Sequence, residues 1–160
     1  MATSTSDSIM PLARGTAGLI GVFGMCIGAY CVSRPESYAV TFGFHPSSSA
    51  AKSASTNPFV TVMGGRTFAT GLTLVSSVAI GGSDRSTGLL LLTAIVAGVS
   101  DAAAIVRFAS VDNFKGRKNG TKDVAQLKLE RHAAKKAARG HIITTAIIST
   151  LGWWMFVNGE

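Results

Sequence analysis

Residues 87–108 read TGLLLLTAIVAGVSDAAAIVRF, and their composition indicates the class of fold. Only Asp101 and Arg107 are charged among its 22 residues, and Arg107 lies at its end. A helix of this length is about 33 Å long, which is enough to cross the hydrocarbon core of a bilayer. A surface helix of a soluble protein would carry a continuous polar stripe, and this stretch has none. It therefore predicts a membrane-spanning helix.

Three further apolar runs of similar length occur in the chain, over about residues 15–33, 59–82 and 140–157. The whole sequence is 47% hydrophobic and only 14% charged, which departs from an average soluble protein. The four runs together predict an all-α fold, an integral membrane four-helix bundle with four transmembrane helices. We expect residues 1–14 to form a polar N-terminal tail and residues 15–160 to form a single membrane domain.

The basic residues of the chain are concentrated in one segment. Of its 15 Lys and Arg residues, ten lie between Arg107 and Arg139, so the net charge of +7 belongs to this segment. Because cytoplasmic loops retain Lys and Arg during insertion, the loop 109–139 is predicted to be cytoplasmic. Both termini then face outward or into a lumen. The sequence thus predicts a multi-pass membrane protein, in an endomembrane such as the endoplasmic reticulum if the chain is eukaryotic.

The second half of the basic loop has the composition of a helix. Residues 121–139 contain no Pro or Gly and many good helix formers, so a basic cytoplasmic helix is predicted just before the last span. The lipid bilayer would be its partner, with anionic lipid at the basic segment 115–139. A topology signal that binds no particular lipid is the alternative. Nucleic acid is not an expected partner, because Phe114 is the only Phe, Tyr or Trp in this loop.

Small residues indicate the helix faces that pack together. The first apolar run places Gly21, Gly24 and Gly28 on one face, and the Gly24-x-x-x-Gly28 spacing lets a neighbouring backbone approach closely. The third run has a similar stripe, formed by Ala94, Ala97, Gly98, Asp101 and Ile105. A carboxylate exposed to lipid would cost about 2.5 kcal/mol or more, so Asp101 is predicted to face the bundle interior.

Two further polar residues are predicted at the depth of Asp101. Asp101 precedes Arg107 by six residues, which places it about 9 Å inside the cytoplasmic half of its helix. Arg66 follows Val60 by six residues on a helix that enters from the same side. His141 lies at the cytoplasmic start of the last run. Three different helices would thus bring Arg66, Asp101 and His141 to one level of the bundle.

This set of side chains has two interpretations, and the sequence leaves both open. As catalytic residues, Asp101 and His141 would hold or relay a proton, and Arg66 would fix an oxyanion. As structural residues, Arg66 and Asp101 would form a buried ion pair that fixes the helix register. No metal or cofactor is expected, because the three His residues lie in separate segments and the two Cys residues have neither zinc-site nor redox-pair spacing.

Several of these residues also form the pattern of a known family. The pattern consists of GRTFATGL at residues 65–72, Asp84-Arg85 in a short turn, Asp101-Ala102-Ala103, and His141 on the last helix. It resembles the small four-helix membrane family catalogued as domain of unknown function 4267, over roughly residues 15–157. The long basic loop departs from the compact pattern of that family. The resemblance implies the four-helix membrane architecture and no established activity.

The resemblance suggests a function only by analogy. Fungal relatives can accompany natural-product pathways, in which small membrane proteins isomerise or cyclise lipophilic intermediates. The leading hypothesis is a cofactor-independent acid–base isomerase or cyclase that binds a lipophilic small molecule beside Arg66, Asp101 and His141. The alternative is a non-catalytic membrane scaffold or accessory subunit. The sequence predicts neither the substrate nor the oligomeric state, and it leaves open whether the chain is an enzyme.

Overall fold

The computed structural model describes residues 5–41, 58–108 and 124–159, and the regular structure in these ranges is helical throughout. The helices are α1 (Thr5–Ser33), α2 (Pro35–Thr41), α3 (Pro58–Ala79), α4 (Asp84–Phe108) and α5 (Val124–Asn158). The predicted all-α fold is confirmed. The four long helices overlap the four apolar runs, whereas α2 lies outside the predicted helices.

The long helices pack as two antiparallel pairs. α1 lies along α3, and α4 lies along α5, whereas helices from different pairs touch at far fewer places. We call α1 with α3 the first hairpin, and α4 with α5 the second hairpin. The contacts that show their direction are Gly21 with Gly71, Gly28 with Gly64, Gly88 with Gly152, and Gly98 with Thr145. In each hairpin, residues near the start of one helix therefore meet residues near the end of the other.

Glycines set the distance between the two helices of each hairpin. A Cβ on Gly71 would lie 2.5 Å from the carbonyl oxygen of Gly21 and 2.6 Å from the nitrogen of Met25. A Cβ on Gly88 would lie 2.6 Å from the carbonyl oxygen of Gly152. These distances are too short for a carbon atom, so glycine is what lets the backbones approach. The packing role predicted for the glycine face of the first apolar run is confirmed.

The buried core divides into two clusters at opposite ends of the bundle. One end of the bundle contains the turn at Gly81, where a φ of 72° favours glycine, and we call it the turn end. We call the opposite end the loop end. The turn-end cluster consists of Ala13, Ala17, Leu74, Leu91 and Met155. The loop-end cluster consists of Met63, Ala102, Ile105, Ala134 and Ala138. Each cluster contains residues from both hairpins, so the hairpins assemble into one four-helix bundle.

Three helices are long and apolar enough to cross a membrane, over Ile9–Ser33, Asp84–Ala103 and Arg131–Asn158. Large apolar side chains such as Leu19 and Ile147 are exposed on the bundle surface, as contact with lipid tails requires. Both findings are consistent with an integral membrane protein. α3 overlaps the second predicted span but is not among the three. The four-span arrangement therefore stays a prediction.

Two helices extend beyond the boundaries expected from the sequence. α1 begins at Thr5, within the expected polar tail 1–14, and Pro11 lies inside it. α5 begins at Val124 and continues without a break through Arg139 into the last apolar run. The remaining part of the predicted basic loop, residues 109–123, lies outside the described residues.

Candidate functional site

An ion pair joins α3 to α4 near the loop end of the bundle. Nη2 of Arg66 donates a hydrogen bond of 2.5 Å to Oδ1 of Asp101. The side chain of Arg66 is 41% exposed and that of Asp101 is 14% exposed, so the pair lies at the edge of the bundle and not in its centre. The structure thus brings together two of the three residues that the sequence placed at one level.

The position of His141 follows from the register of the second hairpin. Gly98 of α4 lies against Thr145 of α5. Asp101 is three residues after Gly98, and His141 is four residues before Thr145 on the antiparallel helix. Each step is about one helical turn toward the loop end, so Asp101 and His141 lie at the same level. His141 is half-buried there.

Tyr38 of α2 is a fourth polar residue at the loop end, and it is not among the site residues predicted from the sequence. It is half-buried and packs against the loop-end cluster, which includes Ala102, the residue after Asp101. Burial raises the pKa of the Tyr38 phenol to about 12, and the charges of Cys31 and Asp101 act in the same direction, while Arg66 opposes them. Tyr38 therefore keeps its proton and remains a hydrogen-bond donor over the physiological pH range.

We expect the stability of the protein to depend on the Tyr38 proton at alkaline pH. An unfolded tyrosine loses its proton near pH 10, whereas the folded pKa is about 12. Between these two values the unfolded chain binds fewer protons than the folded chain. The contribution of Tyr38 to the free energy of unfolding is therefore complete below about pH 10 and declines above it. The measurement is the unfolding temperature in detergent against pH. Tyr38→Phe should lack this part of the decline, and an identical decline in the variant would contradict the raised pKa.

A second ion pair joins the hairpins at the turn end. Nε of Arg14 on α1 donates to Oδ1 of Asp84 at the start of α4, and Nη2 of Arg14 donates to the carbonyl of Gly82 at 3.4 Å. Asp84 is buried. Asp84 and Asp101 lie 17 residues apart on α4, which is about 25 Å along the helix axis. The two ion pairs thus connect the first hairpin to the second near both ends of the bundle.

One family matches most of the chain. Residues 21–155 match the family described as "Domain of unknown function (DUF4267)". The chain belongs to this family. The resemblance inferred from the sequence is therefore confirmed, and the matched range includes Arg66, Asp101, His141 and Tyr38. No curated protein and no solved structure matches the chain significantly.

The loop end of this DUF4267 protein has the groups that acid–base chemistry needs. The Asp101 carboxylate accepts protons, the Arg66 guanidinium donates hydrogen bonds to oxygen, and the protonated Tyr38 phenol is a second donor. Among the described residues, no three His, Cys, Asp or Glu side chains come together in the way a metal site requires. The catalytic roles of Arg66, Asp101 and His141 stay predictions.

Proposed function

We propose that this DUF4267 protein is a membrane enzyme that isomerises or cyclises a lipophilic small molecule by acid–base chemistry at the loop end. The observation that carries the proposal is the partly exposed Arg66–Asp101 ion pair, with a hydrogen bond of 2.5 Å between Nη2 and Oδ1. Tyr38 and His141 from two further helices lie near the same level of the bundle. These four polar groups have complementary chemistry, and the partly exposed ion pair at the edge of the bundle is where a molecule dissolved in the membrane would meet them.

Each residue has a role in this proposal. Asp101 removes a proton from a carbon next to a carbonyl group. The electron pair of the broken C–H bond forms a new C=C bond, and the π pair of the C=O bond moves onto the oxygen. Arg66 and the Tyr38 hydroxyl donate hydrogen bonds to that oxyanion. His141 relays the proton, which returns to a different carbon in an isomerisation. Electrons are neither gained nor lost overall, so the reaction requires no redox cofactor.

We also propose how the chain is arranged in the membrane. α3 serves as a fourth span, because its 22 residues pack along α1, one of the three helices that are apolar enough to cross. Residues 15–160 form one membrane domain, the 109–139 segment is cytoplasmic, and both termini are outward or lumenal. Arg131, Lys135 and Arg139 are exposed on α5, where they contact anionic lipid headgroups.

The test requires no knowledge of the natural substrate. Purified protein in nanodiscs is incubated in D₂O with a series of lipophilic ketones, and deuterium entering the carbon beside the carbonyl is followed by mass spectrometry. We expect faster incorporation for at least one ketone than in empty nanodiscs, because proton removal by Asp101 is the first step of the proposed reaction. Equal rates for the whole series would count against an enzyme and would favour a structural role.

The structural alternative also has an observation in its favour. Arg14–Asp84 and Arg66–Asp101 both join the first hairpin to the second, and both carboxylates lie on α4. In a non-catalytic scaffold or accessory subunit, the two pairs would serve only to hold the hairpins in register. The loop-end pair would then be equivalent to the turn-end pair, and replacing either pair with apolar residues would have the same consequences.

A further inference from the structure

Two contacts join α3 to α4 along one face of each helix. Nη2 of Arg66 donates to Oδ1 of Asp101 at 2.5 Å, and the hydroxyls of Ser77 and Thr87 share a hydrogen bond of 2.9 Å. The first contact lies near the loop end and the second near the turn end. They are eleven residues apart on α3, from 66 to 77, and fourteen on α4, from 87 to 101, which is about 16 to 21 Å along the helix axes. The face of α3 that points toward α4 is therefore fixed at both of its ends.

Between these two contacts, the same face of α3 is open. Thr70 follows Arg66 by four residues and precedes Ser77 by seven, so the three side chains lie on one side of the helix. Thr70 and the adjacent Thr73 are nevertheless exposed. α4 therefore does not cover this part of α3.

The side of α4 that faces α3 shows the same pattern. Its residues follow one another at intervals of three and four, and they are Thr87, Leu90, Ala94, Ala97 and Asp101. Thr87 is 1% exposed, whereas the three residues that follow it on this side are only half-buried. We call the shallow groove between the two helices the seam, and it is lined by Thr70, Thr73, Leu90, Ala94 and Ala97.

The seam lies on the surface of the bundle. α4 is tightly packed on its other side, where Gly88, Leu91 and Gly98 are buried against α5. The exposed threonines of the seam, in contrast, are open to whatever surrounds the protein. A molecule in the surrounding lipid therefore reaches the seam sideways, and neither the two hairpins nor the two helices of a hairpin have to part.

The two ends of the seam differ in chemistry. At the loop end, the side chains of Arg66 and Asp101 are 41% and 14% exposed, so charge is accessible there. At the turn end, the Ser77–Thr87 hydrogen bond pairs the two hydroxyl groups with each other. Between the ends, the lining consists of aliphatic side chains and threonines, and Thr73 donates its hydroxyl proton to a backbone carbonyl one turn earlier. The seam thus combines charge at one end with an uncharged lining along its length.

We propose that the seam binds the hydrocarbon chain of an amphiphilic substrate whose reacting carbonyl lies against the Arg66–Asp101 pair. This inference rests on the proposed function and names its substrate class, a single-chain lipid with a ketone near its polar end. A linear groove with charge at one end matches a molecule that has oxygen at one end and hydrocarbon beyond it. The polar end is neutral or anionic, because the exposed guanidinium of Arg66 would repel a cation.

The depth of the ion pair agrees with such a molecule. Asp101 lies at the level of His141, and the exposed Arg139 is only two residues nearer to the loop end, about 3 Å along α5. Exposed basic side chains at the end of a span reach the headgroup region. A ketone at Asp101 therefore lies just below the headgroups, and the chain runs from there along the seam toward the middle of the bilayer.

Photo-crosslinking locates the chain directly. The probe is 5-oxo-octadecanoic acid with a diazirine midway along its hydrocarbon chain. Purified protein in nanodiscs is irradiated with the probe, and the labelled peptides are mapped by mass spectrometry. We expect adducts on residues 70–77 of α3 and 87–97 of α4. Adducts without preference for these segments over the exposed sides of α1 and α5 would overturn the proposal, because the probe would then behave as bulk lipid.

Thr70→Phe fills the seam from the side of α3. Because Thr70 is exposed, the aromatic ring enters the groove without a clash inside the bundle. Labelling of the seam should fall about tenfold or more, since the ring occupies the place of the chain. Thr61→Phe is the matched control and should be labelled like the wild type. Thr61 is also exposed, and it precedes Thr70 by nine residues, or two and a half turns, so it lies on the opposite side of α3.

The position of the ketone gives a second measurement, on the wild-type protein alone. The probes are 5-oxo- and 12-oxo-octadecanoic acid, whose carboxylates hold both molecules at the headgroups while their carbonyls lie at different depths. Deuterium exchange should be about tenfold or more faster for the 5-oxo acid, because only its carbonyl lies near the level of Asp101. Equal rates would overturn the proposal. This comparison decides the question even if the unfolding temperature shows that Thr70→Phe is not folded.

The same experiments separate this inference from the proposed function. Labelling of the seam that Thr70→Phe abolishes, without exchange of any ketone, would support the seam as a lipid site and reject the proposed chemistry. Exchange that requires Asp101 but is unchanged in a folded Thr70→Phe variant would overturn the seam as the binding site while leaving the enzyme in place.

Discussion

Replacing Asp101 with Asn should lower the rate of proton exchange by about 10²- to 10⁴-fold, the usual contribution of a general base. Asn has nearly the shape of Asp and can still accept a hydrogen bond from Arg66, but it cannot take up the substrate proton. This loss corresponds to about 3 to 5 kcal/mol of transition-state stabilisation. The measurement is the deuterium incorporation described above, with wild type and variant at equal concentrations of folded protein.

Asp101→Asn should also lower the free energy of unfolding, but by less than it lowers the stabilisation of the transition state. Removing one partner of a fully buried ion pair costs about 3 to 5 kcal/mol, because the other charge is left without compensation. The Arg66 side chain is 41% exposed, so solvent screens its charge and the loss should lie below that range. A rate that falls only in proportion to the loss of folded protein would indicate a structural residue.

A double variant separates the two roles more sharply. Arg66→Met with Asp101→Leu removes both charges, and such apolar replacements of ion pairs are often neutral for stability. The double variant should therefore fold like the wild type and remain inactive. Its control is Arg14→Met with Asp84→Leu at the turn end, which removes the other ion pair between the hairpins and should retain activity. Full activity in the Arg66–Asp101 double variant would reject the catalytic site and leave the scaffold.

The sequence predicted that Arg66 and Asp101 lie at one level of the bundle, and that prediction depends only on the depth of each residue along its helix. The depth of Asp101 follows from its separation from Arg107 in the sequence, and the depth of Arg66 follows from its separation from the start of its helix. The rise of a helix is constant, so such a separation gives the level of each residue without knowledge of which helices are neighbours. The contact between Arg66 and Asp101 then follows, because a charge in an apolar helix has few other places to find a partner.

The contacts that the sequence did not predict depend on how the helices pair. Arg14 and Asp84 are 70 positions apart, and their contact requires both hairpins to be assembled in one register. Tyr38 lies on α2, a helix of seven residues that is too short for a periodic apolar pattern. Its sequence does carry a local signal, because Pro35 and Glu36 are favoured at the start of a helix. That signal predicts the helix but not the cluster against which Tyr38 packs.

The glycine contacts within the hairpins lead to the second large effect. Gly71→Ala should strongly destabilise the protein, because its Cβ would lie 2.5 Å from the carbonyl oxygen of Gly21 and 2.6 Å from the nitrogen of Met25. Overpacking typically costs about 1 to 3 kcal/mol, and occasionally more. Here the obstructing atoms belong to the backbone of α1 and cannot move by changing a rotamer. We therefore expect a loss of about 3 kcal/mol or more, measured as a shift in detergent-induced unfolding.

Gly65→Ala on the same helix is the matched control for Gly71→Ala. A Cβ on Gly65 would meet nothing within 4 Å, so the substitution introduces no clash. Alanine is favoured over glycine inside a helix by about 0.5 to 1 kcal/mol, so Gly65→Ala should leave the protein slightly more stable. Identical chemistry, six positions apart on α3, should thus act in opposite directions. Equal effects at the two positions would mean that α1 and α3 do not approach at Gly71, and the assignment of the first hairpin would then be wrong.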